Sequence, residues 1–242
     1  MLSERLTLST RADPSLLTEW MDEPCTYEDW RACIKDLAQV NRLTLAHRPT
    51  IQWLNRLVGP SPTQEILRIL DVGSGGGDML QAIAEWAKCR KLRVSLTGID
   101  LNPFAARAAN ELISKAYGIR WITGDAYSYA PSEGVDVVLS SLFTHHLPES
   151  EIVRFLSWME SVTQSGWFIN DLHRSKITPP LFAALATAAH WHRFVRHDGP
   201  VSIHRGFVKK DWQSMCAKAQ INLNNIRIEA RFPGRLCVGR YK

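Results

Sequence analysis

The chain has 242 residues, 45% of them hydrophobic and 22% charged, with a net charge of +5. That composition suits a soluble globular protein with one large α/β core or two small ones, and excludes low-complexity, repeat and collagen-like architectures. No apolar run reaches the eighteen or so residues of a membrane span. The five cysteines are scattered and form no C-x-x-C pair, which argues against a disulfide framework or structural zinc and predicts a reducing, cytoplasmic setting.

In chain order, residues 1–24 read as a polar arm, broken by Pro14 and Pro24, with room for one short helix. Charges in MLSERLTLSTRADPSLL stand where a signal peptide needs an apolar centre. From Tyr27 to Val58 apolar residues recur at helical spacing, and Pro49 divides two helices. GPSPT (59–63) marks a break. EILRILDVG, VSLTGIDL, IRWITGD, VDVVLSSL and GWFINDL then predict five apolar strands, with helices after the first, second and fourth. Residues 174–218 read as helix and loop, and NIRIEARFPGRLCVGRYK as two strands joined at PGR. Strands alternating with helices predict an α/β, Rossmann-like, doubly wound and mainly parallel sheet with a C-terminal antiparallel hairpin. The expected organisation is an arm and helical cap over 1–60 and a ligand-binding domain over 61–242, with 174–218 as a substrate-side helical insertion.

The first strand runs into ILDVGSGGGDML, with Gly73, Gly75, Gly76 and Gly77 on the turn where a doubly wound sheet binds ligands. Such glycines let the backbone pass against a ligand, and the helix start offers amide donors. A dinucleotide fingerprint needs a third glycine at position 78, but Asp78 stands there and would repel a pyrophosphate; a P-loop ending is absent.

What the stretch does match is D-x-G-x-G-x-G, as Asp71, Gly73, Gly75 and Gly77. Here the sequence resembles the class I S-adenosylmethionine (SAM)-dependent methyltransferases. The resemblance implies SAM as cofactor and the following roles. Asp71 serves the amino group of SAM. Asp100, ending strand two, holds the ribose hydroxyls, and Leu101 lies against the adenine. Asp125 and Ala126, ending strand three, meet the adenine edge, and Ser140 at strand four touches the methionine part. Asp71, Asp125 and Ser140 also have plain readings, as a turn cap, an Asx-turn and a strand end.

Methyl transfer to a hydroxyl needs a base, and histidine suits neutral pH. The candidates are His146 and His145 after strand four, then His173 after strand five; His197 and Arg205 are candidate substrate contacts. Arg42 and Arg174 could likewise bind a carboxylate or be solvated. The turn after strand four lacks the acid of catechol-type magnesium sites, so no metal is expected. Neither an N/D-P-P-Y motif nor a Pro-Cys nucleophile follows strand four, which disfavours amino-group and cytosine-carbon methylation.

WMDEP, VNR, FINDLHRS and VRHDGPVSIHRGF also resemble bacterial methyltransferases of polyketide and quinone-like phenolic products. The expectation is therefore methylation of a hydrophobic small molecule at a phenolic or enolic oxygen, by a monomer or homodimer. The alternatives are carbon methylation in quinone-type biosynthesis, a silent SAM-binding partner subunit, and RNA methylation, the last supported only by the basic balance, so that nucleic acid is an unlikely partner.

Overall fold

The computed structural model describes residues 8–60, 65–175 and 178–242. The start of the expected arm, at 1–7, and most of the break at GPSPT lie outside these residues.

Two helices come first, α1 (Tyr27–Leu43) and α2 (Arg48–Val58). Thr26 caps α1 by accepting from the Asp29 amide, and Pro49 sits in the first turn of α2, where a missing N–H costs nothing. The alternating region follows as β1 (Ile66–Val72), α3 (Asp78–Arg90), β2 (Arg93–Asp100), α4 (Pro103–Leu112), β3 (Arg120–Thr123), β4 (Val135–Ser141), α5 (Glu149–Val162) and β5 (Thr163–Leu172). Helix α4 stops earlier than its apolar pattern suggests, because Ser114 accepts from the Ala116 amide and starts a separate 3-10 turn. Three further helices, α6 (Thr178–Ala188), α7 (Arg193–Arg205) and α8 (Lys209–Lys218), precede β6 (Ile226–Arg231) and β7 (Arg235–Tyr241). Among the described residues no helix is long and apolar enough to cross a membrane.

The seven strands form one sheet in the order β3-β2-β1-β4-β5-β7-β6. Strands β1 to β5 pair in parallel, and β7 runs antiparallel to both neighbours. The order reverses between β1 and β4, so the crevice at their carboxyl ends is the ligand position of this topology. One core lies between the sheet and α5 and α8, around Phe155, Leu156, Trp167 and Trp212. A second lies on the other face against α2 and α3, around Trp53, Leu54, Leu80 and Ile83. Trp53 stacks on Phe168 and Tyr241, which fastens α2 to β5 and β7.

The arm is stitched down by an arginine. Arg205, at the end of α7 and 1% exposed, pairs with Glu19 at 3.0 Å and Asp22 at 3.1 Å, and donates to the carbonyls of Leu17 and Pro14. Asp198, one helical stretch earlier, accepts from the amides of Trp20 and Met21. Arg11 donates to the carbonyls of Arg205, His145 and Leu147, so the arm also grips the turn after β4. Removing one partner of a buried ion pair strands the other charge in a low dielectric. Arg205→Met is therefore expected to cost about 3–5 kcal/mol. Thermal unfolding, with limited proteolysis over residues 8–23, checks this; an unchanged midpoint with no new cleavage contradicts it.

Candidate active site

At the carboxyl edge of the sheet β1 turns away through Gly73, whose amide bonds the Ile99 carbonyl at 2.9 Å. Gly73 has φ +72° and Gly75 φ +51°, and a Cβ on Gly73 would lie 2.6 Å from the Phe143 ring. At Gly73 packing and backbone both demand glycine, whereas beside Gly75 the space is open except for Ile34 at 3.8 Å. Gly73, Ser74, Gly75 and Gly76 border a cavity of about 690 Å³, within the range of small-molecule sites; Gly77 lies outside its lining.

Asp100 also borders this cavity. Its two carboxylate oxygens accept from the amides of Gly75 and Asn102, each at 2.9 Å, which fixes the group against the glycine turn. Burial raises its pKa, while those amides pull the other way. Leu101 borders the same end and is 70% exposed. Asp71 is buried on the cavity wall, and its Oδ1 has no hydrogen-bond partner among the described residues. Burial, with Asp78 and Asp100 nearby, pushes its pKa well above the carboxylate range. Such a carboxyl lacks a cation, and an ammonium group supplies one.

Asp125 and Ala126 lie outside the cavity lining. Asp125 accepts from the Tyr127 amide as the cap of a 3-10 turn, and Ala126 packs in the core. Ser140 donates to the Val72 carbonyl and ties β4 to β1, while its neighbour Ser141 reaches the cavity.

The histidine pair forms a 3-10 turn, Thr144–His146, at the far wall. His145 Nδ1 lies 2.7 Å from Asp171 Oδ1, and Asp171 has no exposed surface. Asp171 also accepts from the Thr144 hydroxyl and from the amides of His145 and Leu172. Burial opposes ionisation, yet His145 and these donors hold the Asp171 carboxyl well below its usual range. An anionic Asp171 places the proton on Nδ1, so His145 Nε2 is the free position, 3.7 Å from Glu19. The His146 ring centroid lies 4.2 Å from that of His145. His146 bonds Asp22 and faces Glu19 at 3.9 Å. Burial works to lower its pKa, but Glu19 and Asp22 prevail and raise it to about 9.

Glu19, His145 and His146 present ligand atoms within 4.8 Å of one another, a spacing open to a divalent ion. Glu19 is already engaged by Arg205 and by the Ser202 hydroxyl, so its charge is largely met.

The remaining expected residues stand away from the cavity. His173 forms a strand bridge with Phe207. His197 bonds Asp198 and stacks on Trp20 at 3.9 Å. The Arg205 guanidinium is spent on the arm rather than offered to a substrate, which corrects the sequence reading of that residue. Arg174 is likewise spent, on Asp211 and the Gly206 carbonyl. Sequence reasoning missed Glu19 and Asp22, since nothing local shows where an arm will lie. Asp171 lies within the predicted strand GWFINDL, and the adjacency of the β4 and β5 ends was available to pair it with His145.

Residues 69–166 match the family model described as a methyltransferase domain. A search of curated protein sequences gave no match. Among solved structures, human N-acetylserotonin methyltransferase in complex with SAM aligns at TM-score 0.62 and 13% identity, over 90% of this chain and 56% of that one. A plantazolicin methyltransferase in complex with a triazolic desmethylPZN analog and S-adenosylhomocysteine aligns at TM-score 0.60 and 15% identity, over 89% of this chain and 94% of that one. A Nostoc punctiforme protein described as a candidate O-methyltransferase aligns at TM-score 0.57 and 18% identity over 88% of this chain, which spans 60% of that protein. Residues 69–166 thus match a methyltransferase domain, and the strand order, shared with these solved structures, is that of the Rossmann-like methyltransferase fold.

Proposed function

We propose that the protein methylates a phenolic or enolic oxygen of an apolar small molecule, with His145 as the base. The observation that carries this reading is the buried His145–Asp171 pair opening on the cavity that the glycine turn borders. Two features of one wall support SAM as the cofactor: Asp71 Oδ1 has no partner among the described residues, and the Asp100 carboxylate is held against the glycine turn, as a ribose-binding acid requires.

Bound SAM supplies a methyl group on a positively charged sulfur. The protein has to orient the acceptor and remove its proton. His145 Nε2 accepts the hydroxyl proton, and Asp171 steadies the imidazolium that results, as a carboxylate does for a general-base histidine elsewhere. Glu19, Asp22 and Asp171 are in direct contact with Arg205, His146 and His145.

Met21, Cys33, Leu37, Phe182, Val195 and Ile203 supply the apolar wall that an aromatic or polyketide-like acceptor would fill. The carboxylates Glu19, Asp22, Asp71, Asp78, Asp100 and Asp198 on the same lining disfavour a phosphate-bearing acceptor such as RNA.

Asp171→Asn is expected to lower kcat by about 10²- to 10⁴-fold without changing affinity for S-adenosylhomocysteine. The assay is methyl transfer to a panel of phenolic and β-dicarbonyl acceptors, read as S-adenosylhomocysteine release and product mass. An unchanged kcat, or methylation confined to carbon or nitrogen, contradicts the proposal. A second expectation concerns pH. The His146 pKa is raised from 6.5 to about 9, so its ion pairs stabilise the fold fully below 6.5 and are lost as pH rises through 9. Thermal melts from pH 6 to 10 check this: the wild type should lose its advantage over His146→Gln across that window, and parallel curves contradict it.

A further inference from the structure

Among the described residues, a second charged side chain on the cavity wall has an unpartnered buried atom, Arg235. It is the first residue of β7 and 5% exposed. Because β7 runs antiparallel to β5, with Arg235 opposite Leu172, this first residue lies at the carboxyl edge of the parallel strands, where ligands bind. Its Nη1 has no hydrogen-bond partner among the described residues, and its Nη2 meets Asn41 Oδ1 and Thr44 Oγ1 only at 3.5 Å.

The carboxylates that act on Arg235 are committed elsewhere. Asp171 is locked to His145, and Asp78 accepts from Asn41 at 2.9 Å and contacts His47 at 2.8 Å. A guanidinium so buried and so poorly paired is costly unless an anion completes it. Asn41 links Arg235 to Asp78, the first residue of the helix that follows the glycine turn, so the guanidinium belongs to the cofactor-facing end of the cavity.

We propose that Arg235 receives the α-carboxylate of SAM. The inference rests on the SAM reading of this site. Asp71 and Arg235 then form a complementary pair: an orphaned carboxylate for the ammonium group and an orphaned guanidinium for the carboxylate of one amino-acid end. A planar guanidinium with free N–H groups meets a carboxylate through two donors, which a lysine cannot reproduce.

The test compares two probes on the intact protein by calorimetry. S-adenosylhomocysteine carries the amino-carboxylate end; 5′-methylthioadenosine has the same nucleoside and a thioether but lacks it. Arg235→Gln is expected to weaken S-adenosylhomocysteine binding by about 10- to 100-fold, the scale of a charge-assisted hydrogen bond, and to leave 5′-methylthioadenosine unchanged. Arg235→Lys should fall between, and serves as the second variant if the glutamine form fails to fold. Retained preference for S-adenosylhomocysteine in a variant that binds 5′-methylthioadenosine normally overturns the inference, as does a rise confined to acceptor KM. Failure of the wild type to bind either probe overturns the SAM reading itself, and this inference with it.

Discussion

The Asp171 carboxylate, sealed from solvent at the end of β5, accepts from one hydroxyl, two backbone amides and an imidazole. An unpaired charge there would cost several kcal/mol, so the four donors are obligatory partners. Three of them come from the turn after β4. Satisfying one buried charge thus fixes the conformation of that turn, joins the ends of two parallel strands and sets the His145 ring with Nε2 as its free nitrogen. The arm then builds on the turn: Arg11 grips its carbonyls, and Glu19 and Asp22 meet the two imidazoles.

This arrangement explains why so much charge is buried in one place. Glu19, Asp22, Asp171, His145, His146 and Arg205 form a connected network in which most groups serve two neighbours. Buried networks of this kind stabilise little relative to an apolar core, but they impose one geometry, because any misplacement leaves a charge unpaired. The network therefore specifies where the arm lies and how the cavity is closed on that side. The opposite side has different physics. Asp71 Oδ1 and Arg235 Nη1 have no hydrogen-bond partner among the described residues, and an acid and a guanidinium left open together suit a zwitterionic end.

The sheet and the glycine turn were legible in the sequence because their signals are local. Alternating strands and helices, Gly73 and Gly75 after an apolar run, and Asp100 at a strand end all follow from spacing along one segment. Residues whose roles depend on distant packing were not legible. Arg205 reads as a solvated or ligand-binding arginine, and nothing nearby shows that an arm almost two hundred residues earlier will enclose it. Glu19 sits in a proline-flanked polar stretch with no periodicity. Arg235 follows a hairpin turn and looks like its polar tip; its placement at the ligand edge follows from the antiparallel direction of β7, a tertiary property. Asp171 stands between these cases, since its neighbour across the sheet could be deduced once β4 and β5 were taken as adjacent.

The mechanism requires that the cavity beside the glycine turn bind SAM and not a dinucleotide. Isothermal titration of the purified protein with S-adenosylhomocysteine and with NAD tests it most directly. Saturable, single-site binding of S-adenosylhomocysteine and none of NAD is expected, because Asp78 stands where a pyrophosphate would need a glycine. Binding of NAD, or no binding of S-adenosylhomocysteine, would contradict it.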